Sequence, residues 1–181
     1  MQDNTGLKRF AVVHITGASG AGTTTLAKAL SEKYGYTHLD TDDFFWEETE
    51  PPFTLKRERV ARQALLWQAI QACEACVISG SLTEWGDVFL LTFQLVIYVQ
   101  TQTDVRIARL REREFLRFGE RILQGGDMAE AHQQFLLWAA QYDEGGLDMR
   151  SAREHEKWLL KVPCPVVRVD GAWRLRRLLR G

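Results

Sequence analysis

A glycine-rich turn between a buried strand and a helix constrains this chain more than any other feature. The segment Gly17-Ala18-Ser19-Gly20-Ala21-Gly22-Thr23-Thr24 follows the apolar run Phe10 to Thr16 and leads into the helical pattern Thr24 to Tyr34. A short, nearly continuous apolar run reads as a strand buried on both faces, as in the centre of a parallel sheet. In the helix, Leu26, Ala27 and Leu30 share one stripe and Gly35 supplies a stop. This order aims successive backbone N–H groups and the positive helix end at one point, which makes a seat for an anion. The spacing is that of the phosphate loop G-x-x-x-x-G-K-[ST] at every defining position but one, where Thr23 replaces the lysine. Glycine at 17, 20 and 22 lets the backbone approach phosphate oxygens, and Thr24 carries the hydroxyl that meets Mg²⁺ in such loops. Gly17, Ala18, Ser19, Gly20, Ala21, Gly22, Thr23, Thr24 and Thr25 are therefore the candidate contacts for a nucleoside triphosphate. A glycine turn without a ligand is the competing reading, and the flanking strand and helix weigh against it.

The rest of the chain repeats the strand-and-helix alternation. Thr37 to Asp40, Cys76 to Ser79, Leu95 to Val99 and Pro165 to Asp170 are further strands, and a helix is expected over Thr54 to Ala72 after the break at Pro51-Pro52. Five short strands separated by helices argue for an α/β domain whose parallel sheet is covered on both faces. A single domain over 1–181 is expected, with a helical insertion over about 103–162 as a candidate lid. The net charge of -1 excludes a basic excess on the scale of a nucleic-acid binder. No apolar h-region lies in Met1 to Arg9 and no later stretch approaches the roughly 20 apolar residues of a membrane helix, so a soluble, cytoplasmic protein is expected. Cys73 and Cys76 sit among apolar residues and read as packing. The histidines show no metal spacing, and no zinc is expected; His14 reads as a hydrogen-bonded core residue.

With the loop goes the segment Leu39-Asp40-Thr41-Asp42-Asp43-Phe44-Phe45-Trp46. On these two segments the chain resembles the adenylate kinase and shikimate kinase branch of small P-loop kinases, and most of all a set of bacterial proteins described as kinases or ATPases. The resemblance runs over nearly the whole chain. It implies a P-loop NTPase fold with strand order 2-3-1-4-5, and an ATP- and Mg²⁺-dependent phosphotransferase acting on a small molecule, a nucleotide among the candidates. It further implies that Asp40 serves the metal with Thr24, and that Asp42 serves the acceptor. An Asx turn capping the next helix is the structural alternative for these acids. Phe44 to Trp46 and Trp85-Gly86-Asp87 are weaker candidates for the acceptor pocket.

The third strand ends in Ser79-Gly80-Ser81 without the acid of motor ATPases, and the guanine-selective N-K-x-D segment is missing. Thr103 to Gly119 places Ile107, Leu110, Phe115 and Phe118 near one stripe and Arg106, Arg109, Arg113 and Arg117 near another. Guanidinium groups pair with phosphate oxygens and stabilise transferring charge, which makes Arg109, Arg113 and Arg117 catalytic candidates and Arg121 a further phosphate candidate. Glu112 and Glu114 are interleaved, so a solvated ion-pair face is the alternative. Lys56, Arg57 and these arginines are the candidates to replace the missing lysine. The turn Val169 to Trp173 is a candidate base-contacting segment. The expected partner is a small phosphate acceptor, with no nucleic-acid polymer, no membrane, and a monomer or homodimer. A catalytically weak nucleotide-binding module is the second reading, resting on Thr23.

Overall fold

The computed structural model of the chain describes residues 10–172. Five parallel strands, β1 (Val12–Gly17), β2 (Thr37–Asp40), β3 (Cys76–Ser79), β4 (Leu95–Gln100) and β5 (Val166–Asp170), form one sheet of order β2-β3-β1-β4-β5. The expected P-loop topology is therefore observed. In the register of the sheet, His14 lies beside Ile78 and Ile15 beside Ile97.

Strand periodicity explains the continuous apolar runs, because neighbouring residues point to opposite faces and both faces are covered. Val13, Ile15, Leu95, Ile97 and Val99 pack on one side with Leu26, Ala27 and Leu30 of α1 (Thr23–Tyr34). Cys76, Ile78, Val96 and Tyr98 pack on the other with Leu66 and Ile70 of α3 (Arg59–Gln71) and Trp158 and Leu159 of α6 (Ala152–Leu159). Burying each large aliphatic side chain contributes roughly 1.5–3 kcal/mol. Cys73 and Cys76 belong to this second cluster.

Between β2 and β3 the chain differs from expectation. The acids start a short helix, α2 (Thr41–Phe45), capped by Asp40. The next stretch folds back as a loop, with Trp46 bridged to Lys56, and α3 starts five residues later than expected at a cap formed by Glu58. The cause is local: Pro51 and Pro52 remove amide donors, while the Glu58 carboxylate accepts the Val60 and Ala61 amides.

Between β4 and β5 lie α4 (Thr103–Phe118), α5 (Ala129–Ala140) and α6, joined by two short 3₁₀ turns. The sheet order reverses at β1, whose carboxyl end sits between those of β3 and β4. Open parallel sheets bind ligands in the crevice at such a switch point.

Candidate active site

The phosphate loop closes this crevice. Gly20 and Gly22 both hold left-handed backbone, with φ 80° and 105°, a conformation that disfavours any side chain. A Cβ at Gly20 would also lie 2.7 Å from the Arg106 carbonyl oxygen. The amide of Ala21 donates to the Ala18 carbonyl at 3.0 Å, tightening the turn. The α1 helix has no side-chain cap and no acid in its first turn, which leaves its leading amides for an anion. Gly20, Gly22, Thr23, Thr24 and Thr25 line a cleft of ≈960 Å³. Ala18 and Ala21 instead pack into the core, and Gly17 passes tightly against the Val99 carbonyl.

Arg106 corrects the expected cationic face of α4. It is fully buried behind the loop, where it donates to the carbonyls of Thr101 at 3.0 Å, Ala139 at 3.1 Å and Ser19 at 3.5 Å, and pairs with Asp143 at 3.0 Å. Arg106, Leu110 and Glu114 form the inward face of α4. Phe115, expected to pack, is 48% exposed. Arg106 is carried inward because its neighbours there are backbone carbonyls and the Asp143 carboxylate, whereas Glu114 on the same face is paired with Arg113 at 2.8 Å.

The metal-side residues meet. Thr24 Oγ1 donates to Asp40 Oδ2 at 3.1 Å, while Asp40 Oδ1 accepts the Asp42 amide at 3.2 Å. Asp40 thus caps α2 and also faces the loop, so the structural and functional readings coexist. One hydroxyl and one carboxylate beside a phosphate seat suit Mg²⁺, which takes few protein oxygens and completes its shell with phosphate and water.

Arg109, Arg113 and Arg117, one turn apart, line the same cleft. Arg109 donates to the carbonyls of Ala21 at 3.3 Å and Gly171 at 2.9 Å, joining the loop to the turn after β5. Gly171 and Ala172 line the cleft as well, while Trp173 lies outside the described residues. Arg113 folds onto Glu114, with Nε at 2.9 Å, and Arg117 lies 5.3 Å from the Phe53 ring centroid. Arg121 is engaged elsewhere, by Asp127 at 2.7 Å and Glu50 at 2.6 Å. Of the other cations offered for the missing lysine, Arg57 is held by the Phe44 carbonyl at 2.9 Å and by Glu47, and Lys56 lies over the Phe45 ring. Lys28 also lines the cleft; the sequence reading missed it, although four residues after Thr24 is the same face of α1.

Asp42 lines the same cleft and is exposed to it. Enclosure by protein raises its carboxyl pKa, the Asp40 charge adds to the rise, and Arg150, Arg113 and Arg117 oppose it. Arg150 is the other residue that spacing gave no role. Its guanidinium makes no hydrogen bond or direct ion pair with any described residue; its ring contact is Trp138, 5.5 Å away. Burial lowers its pKa and the Asp42 charge raises it. Two weaker acceptor candidates are corrected. Trp85 is core, and Asp87 accepts from Trp158 Nε1 at 2.8 Å and pairs with Lys161. Phe44 and Phe45 pack against the second core cluster, with Arg62 4.0 Å from the Phe45 ring.

Comparison with known proteins agrees with this loop-and-sheet arrangement, since the AAA domain profile matches residues 13–115. The chain belongs to the AAA domain family. The Bacillus subtilis (strain 168) protein YqaC, itself described as uncharacterized, is 42% identical over 87% of this chain and 87% of its own length. Shikimate kinase 2 of Yersinia enterocolitica serotype O:8 / biotype 1B is 30% identical over 55% of this chain. That match spans 63% of the kinase, under two thirds of its length. Among solved structures, deoxyadenosine kinase from M. mycoides with bound dATP shares the fold at 18% identity, with a TM-score of 0.51 over 93% of this chain and 95% of that one. The resemblance to small P-loop kinases is upheld, and among the described residues no helix is long and apolar enough to cross a membrane.

Proposed function

We propose that this protein binds ATP with Mg²⁺ at Gly17 to Thr25 and transfers the γ-phosphoryl group to a hydroxyl of a small, anionic acceptor. One observation carries the reading: Asp42, with its raised pKa, shares a single cleft with the phosphate loop and with Arg109, Arg113 and Arg117. A carboxylate shifted upward is a better proton acceptor near neutral pH than an ordinary aspartate. Arg150, electrostatically coupled to Asp42 and without an ion pair among the described residues, supplies a counter-charge for an anionic group on the acceptor.

In the proposed step the acceptor hydroxyl oxygen bonds to the γ-phosphorus as the bond from that phosphorus to the β,γ-bridging oxygen breaks. The acceptor proton passes to Asp42 and ADP leaves. Loop amides and lid arginines stabilise the charge on the transferring group, in the role otherwise shared with a lysine at position 23. Mg²⁺, held by Thr24 and Asp40, would offset phosphate charge when bound. The test incubates the pure protein with MgATP and a panel of nucleotides, hydroxy acids and sugar acids while ADP release is followed. At least one acceptor is expected to accelerate release; no acceptor dependence across the panel counts against phosphotransfer. Thr23 itself favours a second reading, a binding module without turnover. Under that reading Thr23→Lys tightens ATP binding and creates no turnover with any acceptor.

A further inference from the structure

A chain of buried polar side chains joins the insertion to the sheet, and the proposed chemistry uses none of them. At its centre is His155, fully buried in α6. Its Nδ1 meets the Tyr142 hydroxyl at 2.9 Å, and that hydroxyl meets Tyr98 of β4 at 2.8 Å. Its Nε2 meets Thr16 Oγ1 at 3.1 Å, one residue before the phosphate loop, and Ser81 Oγ at 3.4 Å beyond β3. Ser81 in turn meets Thr83 at 2.8 Å. A neutral imidazole has one donor and one acceptor nitrogen, and each faces a hydroxyl able to play either part. Burial, with the Arg150 charge adding to it, lowers the His155 pKa to about 3, so the neutral form persists at ordinary pH.

The connection matters because of what precedes His155. Arg150 is followed directly by Ser151, whose hydroxyl caps α6 through the Glu154 amide at 3.0 Å and donates to the Gly146 carbonyl at 2.6 Å. Little separates the arginine from the network, and a satisfied buried network is a rigid support. We infer that His155 is a positioning residue, holding Arg150 on the acceptor side in register with the phosphate loop on the donor side. The inference rests on the anionic-acceptor reading above.

Its test uses the whole chain with MgADP and inorganic sulfate as probes. Saturating MgADP fills the phosphate loop, and calorimetric titration with sulfate then reads the Arg150 side. His155→Phe is expected to weaken sulfate binding by more than about tenfold, the size of one unsatisfied buried contact, while MgADP affinity changes by less than about threefold. His155→Gln, which keeps a donor and an acceptor, restores most of the sulfate affinity. Amide exchange over 146–155 accelerates in His155→Phe and not over α3. If that variant does not fold, Tyr142→Phe carries the same measurements. Unchanged exchange over 146–155, or sulfate binding that needs Arg150 but ignores His155, overturns the inference. Sulfate binding that is absent, or indifferent to Arg150→Gln, overturns the anionic-acceptor reading instead. The positioning role of His155 then falls with that reading.

Discussion

Lowering the pH from 7 to 5 should remove a large part of this protein's stability, through two imidazoles. His14 and His155 are both fully buried. Burial lowers the pKa of His14 to about 4 and that of His155 to about 3, against 6.5 for a free side chain. Because the folded pKa values lie below the unfolded one, the stability is fully present above pH 6.5 and is lost as pH falls through that value towards 4 and 3. Within the window the unfolded chain binds up to two more protons, a slope of about 2.7 kcal/mol per pH unit from ~1.36 for each group. Between pH 7 and 5 the loss is about 4 kcal/mol, a serious fraction of the roughly 5–15 kcal/mol that holds a domain together. The raised carboxyls of Asp42, Asp43 and Glu154 act in the opposite sense, since their folded forms take up protons first. Urea unfolding at half-unit steps of pH, followed by fluorescence, measures the slope, and His155→Gln should reduce it by about half. Stability that is flat within about 1 kcal/mol from pH 7 to 5 would refute the assignment of two buried neutral histidines.

Three further variants test the site and its supports. Asp42→Asn should lower acceptor-dependent turnover roughly 10²–10⁴-fold with MgATP affinity nearly unchanged, and the wild-type acid limb should lie above the ordinary aspartate range. Because the Asp42 pKa is raised, its charge costs stability above that value, so the same variant should be more stable at neutral pH, the gain fading as pH falls through it. Gly20→Ala meets both a left-handed backbone and the Arg106 carbonyl at 2.7 Å, and should cost ~1–3 kcal/mol in thermal unfolding and weaken nucleotide binding more than Gly35→Ala does. Arg106→Met leaves buried carbonyls behind the loop without donors; a loss of about 3 kcal/mol is expected, and a change within error would show the brace to be idle.

The sheet and the loop follow closely from local chemistry. Phe10 to Thr16 is nearly continuous in apolar residues because β1 is covered on both sides, and the glycines at 20 and 22 mark backbone that other residues avoid. Residues whose role depends on distant partners were not readable in this way. Arg106 and Arg113 have the same spacing on α4, yet one lies buried against carbonyls from three segments and the other opens to the cleft. Only the positions of Ser19, Thr101 and Ala139 separate them, and these come from tertiary structure. Arg150 sits in a stretch without periodicity, so nothing local joins it to Asp42, more than one hundred positions earlier. The Asp40-Thr41-Asp42 segment was ambiguous for the reverse reason: a helix cap and a ligand-facing carboxylate need the same residue, and Asp40 serves as the first while facing the loop.

Phosphotransfer at this site depends on the capacity of α1's leading amides and the glycine loop to seat a triphosphate beside Thr23 rather than lysine. Calorimetric titration of the full chain with ATP and Mg²⁺, repeated on Gly20→Ala, addresses that directly. One saturable site, weakened by the substitution, is the predicted result. A folded wild-type sample that takes up no nucleotide at millimolar concentration would contradict it.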